Sequence, residues 1–243
     1  MCIICRNENL KGLEKLDCNG CPFLTTIPYI EGLKELYCNG CLLLTEIPNI
    51  KGLKKINCSY CPLLTIIPNI EGLKYLYCWH CPLLTTIPHI EELEYLRCYH
   101  CPLLTNIPHI EGLKYLLCDN CLLLTTIPNI KELSELYCWN CPLLTTIHDA
   151  KRLNQLDCHI GCPLLMYIPI TKYLTYNDNL LKLPFKSCKY LTSQKMDRLY
   201  SNIYYLWKSY KLKQYISYLQ IYIYSNPRLP YMQYYIENEL YDE

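Results

Sequence analysis

The sequence predicts a solenoid of stacked twenty-residue coils with parallel strands, and three observations predict it. Leucine recurs without slippage at positions 13, 33, 53, 73, 93, 113, 133 and 153. Two cysteines separated by two residues recur at the same interval, from Cys18/Cys21 to Cys138/Cys141, and once more as Cys158/Cys162 with one extra residue between them. An isoleucine followed by proline stands at Ile27, Ile47, Ile67, Ile87, Ile107 and Ile127. Self-similarity at a short fixed period marks an array in which each unit packs against its neighbours.

Each part of the unit, typified by GLKELYCNGCLLLTEIPNIK from Gly32, has a physical reading. Leu16 and Cys18, with their equivalents in later units, alternate with other residues as a short strand would, one side inward and one outward. Strands of successive units then stack in parallel at about 4.8 Å, so each inward position becomes a column through the molecule. A single unit cannot bury its own apolar side, and stacking creates the core. Each buried Leu or Ile contributes roughly 1.5–3 kcal/mol of transfer free energy. A Leu→Ala change in a middle unit should cost about 2–5 kcal/mol.

The return path is short. Proline removes a donor and keeps the residue before it extended, so the Leu-Thr-x-Ile-Pro-x-Ile segment must cross back in extended or brief 3₁₀ form, without long helices. Thr25, Thr45, Thr65, Thr85, Thr105, Thr125 and Thr145 are expected to form a column of hydroxyls bonding to loop backbone.

The unit LxxLxCxxCxxLxxIPxI resembles the leucine-rich repeat in its cysteine-containing form, with the second cysteine in the slot that usually holds asparagine. The resemblance covers about three quarters of the chain. It implies a leucine-rich repeat solenoid with a parallel β-sheet on a concave face and a protein-binding role. Together with a composition of 25 Tyr, a single alanine (Ala150) and no valine, the repeats are similar to those of uncharacterised repeat proteins of giant DNA viruses of the mimivirus group. That likeness implies an adaptor or host-interaction role in the cytoplasm of the cell or infected host, or substrate recognition for a ubiquitin-type ligase.

The ends differ from the middle, as capping units should. Residues 1–12 form a shortened N-terminal unit carrying Cys2 and Cys5, and residues 13–184 hold the repeats. The last unit, Tyr173 to Pro184, has Asn179 in the ladder slot. Residues 185–243 break the period, and Met196, Leu199, Ile203, Leu206, Trp207 and Tyr210 fall at helical spacing. This Tyr-rich stretch reads as a mainly helical C-terminal cap or appendage.

With 23 basic and 22 acidic side chains, the charge excludes a strong field for nucleic acid or anionic membrane. The start MCIICRNENLKGLEKLD lacks a basic region followed by a long apolar run, so the chain is expected inside the cell, without a signal peptide or membrane span. Nineteen cysteines are then expected as free thiols in a reducing compartment or as metal ligands. The CxxC pairs, sixteen residues apart, also match a zinc-site pattern. Sulfurs around zinc sit roughly 3.7 Å apart, closer than stacked strands allow, which favours a buried thiol ladder with no metal or cofactor. The end pairs Cys2/Cys5 and Cys18/Cys21 are the least constrained and so the best metal candidates.

The candidate site is the outward face of the strands. Tyr75, Tyr95 and Tyr115 form one column, Tyr77, Arg97 and Tyr137 the next, and Trp79, Tyr99 and Trp139 lie between the paired cysteines, beside His80 and His100. Tyr, Trp and Arg dominate interaction hot spots, so these residues are expected to bind a protein partner of unknown identity. A competing reading is that a Tyr-rich composition puts Tyr everywhere. His80 and His100 stack in adjacent units and could share a metal or sense pH. Cys98 and His100 could be drawn as nucleophile and base, but an inward thiol and an outward imidazole point apart, so no catalysis is expected. Lys74 and Lys114 follow Glu71 and Glu111 by three residues and are expected to offset their charge.

Overall fold

The structure is a computed structural model describing residues 2–148 and 150–158, Cys162, Leu165 and the backbone of Tyr173–Thr175. There the chain is a parallel β-solenoid of about seven turns. Its strands are β1 (Lys15–Asp17), β2 (Glu35–Tyr37), β3 (Lys55–Asn57), β4 (Tyr75–Tyr77), β5 (Tyr95–Arg97), β6 (Tyr115–Leu117), β7 (Thr126–Ile127), β8 (Glu135–Tyr137), β9 (Thr146–Ile147), β10 (Gln155–Asp157) and β11 (Tyr173–Thr175). Nine of them form one parallel sheet in the order β1-β2-β3-β4-β5-β6-β8-β10-β11. The register follows the repeat: Leu16 pairs with Leu36, Leu36 with Ile56, and so on to Leu156. Leu156 then pairs with Leu174, which puts the first strand of the expected last unit in the sheet.

Strands of three residues cannot hold together alone; the columns do it. The inward leucines, isoleucines and thiols of each coil, at the recurring core positions, lie at 5% exposure or less from Leu16 to Cys158. Each coil turns two corners with short backbone bonds, such as Leu44 N–H to Cys41 O (3.3 Å) and Leu53 N–H to Ile50 O (3.4 Å). On the return side, β7 pairs with β9 in parallel, and the isolated bridges Glu46–Ile66 and Thr86–Asn106 extend the same pattern. The return path is therefore extended, and the described residues contain no helix. The threonine column bonds largely through its backbone. Thr65 donates to Thr45 O by N–H (3.1 Å) and Oγ1 (3.3 Å), and Thr145 does the same to Thr125 O (2.9 and 3.2 Å).

Ion pairs connect one coil to the next. Glu94 bridges Lys74 (2.9 Å) and Lys114 (2.6 Å), and Lys131 reaches Glu111 (3.1 Å). This corrects the expectation that Lys74 and Lys114 answer Glu71 and Glu111. The coil bends too sharply for residues three apart to face each other, while the stacked coil brings residues twenty apart to about one strand spacing.

At the N-terminus, Cys2, Ile3, Ile4, Cys5 and Leu10 are partly buried against the first coil. A tight turn closes them, with Arg6 N–H bonded to Cys2 O (3.1 Å) and Asn7 N–H to Ile4 O (2.9 Å). Asn179 and the helical reading of residues 185–243 lie outside the described residues. No helix of the described residues is long and apolar enough to cross a membrane.

Candidate functional site

The pleat of each short strand sends its middle residue into the core and its first and third residues outward on one face. Beyond the strand the ladder continues for two more residues. Cys78 N–H donates to Arg97 O (2.9 Å), and His80 N–H donates to Tyr99 O (2.9 Å) in the next coil. To aim that second N–H along the stack, the residue before each second cysteine adopts a left-handed backbone. The slot is Gly20 (φ 62°), Gly40 (φ 70°), Tyr60 (φ 53°), His80 (φ 53°), His100 (φ 54°), Asn120 (φ 56°) and Asn140 (φ 54°). Gly and Asn accept this conformation readily, whereas a Tyr or His there costs roughly 1–2 kcal/mol. Tyr60, His80 and His100 offset that cost through their rings.

Those rings form a continuous stack. Tyr60 lies 4.7 Å from His80 at 13°, and His80 lies 4.2 Å from His100 at 16°. Beside it, Trp79 stacks on Tyr99 (4.9 Å, 10°) and meets Tyr60 edge-on at 4.2 Å. A second row, on the strands, runs Tyr75–Tyr95 (5.1 Å), Tyr95–Tyr115 (5.9 Å) and Tyr115–Tyr137 (5.6 Å). Between the rows the Arg97 guanidinium sits 5.6 Å from the Tyr77 ring and 5.3 Å from that of Tyr115. Geometries of this kind contribute about 0.5–1.5 kcal/mol per ring pair beyond burial. They also explain why Tyr75, Tyr77, Trp79, Tyr95, Tyr99, Tyr115 and Tyr137 are half-buried while Arg97 is exposed.

The structure thus brings together Tyr75, Tyr77, Trp79, His80, Tyr95, Arg97, Tyr99, His100, Tyr115 and Tyr137. Trp139 stands apart from the Trp79–Tyr99 stack, because Asp119 and not a ring occupies the slot between Tyr99 and Trp139. Tyr60 belongs to the cluster and escaped the sequence reading. Its position, one period before His80, was the signal that could have found it.

Polar groups finish the patch on the C-terminal side. Asn140 Nδ2 donates to Asn120 Oδ1 (2.6 Å), and Asn120 Nδ2 contacts His100 Nε2 (3.3 Å). An amide nitrogen only donates, so His100 Nε2 accepts and its proton sits on Nδ1. Burial, then the charge of His80, pulls His100 down to about 4, and burial also lowers His80. Asp119 is buried and accepts Trp139 N–H at 2.9 Å, and burial pushes its carboxyl up to about 7. The slot between the paired cysteines is not outward in every coil. Ser59, Asp119, Asn120 and Asn140 are instead buried.

Beneath the patch the thiols form a ladder. Cys41 Sγ donates to Cys18 O (3.1 Å), Cys61 to Cys38 O (3.2 Å), Cys81 to Cys58 O (3.2 Å), Cys101 to Cys78 O (3.2 Å), Cys121 to Cys98 O (3.3 Å) and Cys141 to Cys118 O (3.3 Å). Each second cysteine therefore satisfies a carbonyl of the preceding coil. Burial raises the interior thiols, Cys98 to about 12, so they are poor nucleophiles. Cys98 is fully buried, whereas His100 lies half-buried on the rim. The N-terminal end differs. The sulfurs of Cys2, Cys5 and Cys21 lie within 4.8 Å of one another, a convergence that no other three His, Cys, Asp or Glu ligand atoms reach among the described residues.

No family model matches this chain, and no curated protein or solved structure matches it.

Proposed function

We propose that the chain is a non-catalytic protein-binding module of the leucine-rich repeat kind, whose partner docks on the aromatic patch from Tyr60 to Tyr137. Arg97 carries this reading. Its exposed guanidinium is held between Tyr77 and Tyr115, and no carboxylate pairs with it among the described residues. A guanidinium fixed between rings suits a carboxylate from a partner, with the surrounding Tyr and Trp faces covering that partner's apolar side chains. The clustering of these rings argues against a merely compositional excess of tyrosine. On the return side, the exposed large apolar groups are Phe23, Tyr29, Leu42, Leu43, Leu63, Ile66 and Leu143, and no ring stack joins them.

The leucine-rich repeat reading is supported by the thiol ladder, in which each second cysteine bonds as an asparagine would in that slot. The likeness in composition to giant-virus repeat proteins supports a host-interaction or adaptor role. Free thiols along the ladder suit a reducing compartment. The test is capture of a partner by the full chain, followed by its binding to a Tyr77→Ser/Trp79→Ser/Tyr99→Ser variant and to Arg97→Gln. Both variants should lose the partner while an Ile66→Ser control on the return side keeps it. Equal binding by all three would sink the reading.

A further inference from the structure

We propose that Cys2, Cys5 and Cys21 are thiolate ligands of a zinc ion at the N-terminal end of the solenoid. In later coils the second thiol is occupied, because it donates to a carbonyl of the coil before it. Cys21 faces the Cys5 sulfur instead, at 3.5 Å. That separation is close to the roughly 3.7 Å edge of a tetrahedron of sulfurs around zinc, and well below the spacing of stacked strands.

Three further features suit the ion. Cys2 and Cys5 are only partly buried, which leaves a route for it to enter. Cys2 N–H points at Cys21 Sγ (3.5 Å). A backbone donor of this kind stabilises a metal-bound thiolate. The three converging sulfurs leave the fourth position of a tetrahedral zinc site to a ligand from outside. Binding converts three thiols and one Zn²⁺ into a zinc–tris-thiolate and releases three protons to solvent, so affinity should rise with pH. The interior CxxC pairs carry no such inference. Their sulfurs are buried, and the second of each pair already donates to a carbonyl.

The experiment uses the full chain purified with reductant, stripped of metal and titrated with Zn²⁺ and with Co²⁺. About one ion should bind per chain, and thiolate-to-cobalt charge transfer should count three sulfurs. The Cys2→Ser/Cys5→Ser variant should lose the ion while its circular dichroism stays that of the parent. Zinc should also protect Cys5 of the unmodified chain from alkylation, a readout that does not depend on the variant folding. Failure to bind, two or fewer sulfurs, binding unchanged in the variant, or a Cys5–Cys21 disulfide persisting in reductant would each overturn the site.

Discussion

The imidazoles of His80 and His100 lie 4.2 Å apart and nearly parallel, both on residues with a left-handed backbone. Two stacked rings at this distance are compatible only when at most one is charged, and His100 is held neutral down to about pH 4 by its burial and by His80. In the unfolded chain the same group titrates near 6.5. Its contribution to stability is therefore present above pH 6.5 and is lost as pH falls through about 4. Replacing His100 by Asn, which suits the left-handed slot, should remove that acid sensitivity. Thermal midpoints between pH 7 and 4.5 should fall less in the variant than in the parent. Parallel curves would show that His100 does not titrate as the stack requires.

Asp119 works in the opposite sense. Its folded carboxyl titrates at about 7, raised first by burial, against about 3.8 when unfolded. The stability it contributes is present below pH 3.8 and is lost as pH rises through 7. Asp119→Asn keeps an acceptor for Trp139 N–H and removes the buried charge. Parent and variant should melt together at the acid end, and at pH 8 the variant should be more stable by on the order of 2–4 kcal/mol. That difference corresponds to roughly 5 °C or more in midpoint. A variant less stable than the parent at pH 8 would mean that the carboxylate is paired when ionised.

Much of this architecture was legible in the sequence, because the period alone dictates which residues stack. Leu16, Cys18, Cys21, Leu24, Ile27 and Ile30 and their equivalents could be placed inward from spacing, and the fold buries them from Leu16 to Cys158, with Cys162 and Leu165 partly buried at the end. What spacing could not reveal was the contest between neighbours of unequal size. Ser59, Asp119, Asn120 and Asn140 occupy the outward slot between cysteines, yet they are small residues overtopped by stacked neighbours and end up buried. Tyr60 was hidden for the converse reason: its value lies in lying against His80 and Trp79, a fact of the stack and not of its own coil. The ion pairs of Lys74 and Lys114 needed the same view across coils.

The two cysteines of one coil should respond in opposite ways to substitution. Cys101 Sγ donates to Cys78 O at 3.2 Å, so Cys101→Ser keeps a donor and Cys101→Ala leaves the bond unmade. Cys98 is equally buried, but its sulfur bonds to no carbonyl among the described residues. There a hydroxyl would be desolvated without a good acceptor, at a cost of about 1–3 kcal/mol. Serine should therefore be milder than alanine at 101 and harsher than alanine at 98. Chemical denaturation of the four variants would read the order, and the same order at both positions would refute the ladder as a set of directed bonds.

Tyr60 separates stability from recognition. Its left-handed backbone costs roughly 1–2 kcal/mol that glycine would not incur, while its ring gains about as much from Trp79 and His80. Since the side chain is 47% exposed, little apolar burial is at stake. Tyr60→Gly should leave the thermal midpoint within a few degrees of the parent, because the two effects nearly cancel. Binding should behave differently: the ring closes one end of the aromatic patch, and a truncated hot-spot aromatic costs about 2 kcal/mol or more, some thirtyfold in affinity. The pair of measurements is a midpoint and a dissociation constant for the captured partner. A variant that melts as the parent does and binds as tightly would exclude Tyr60, and with it the histidine side of the patch, from the contact.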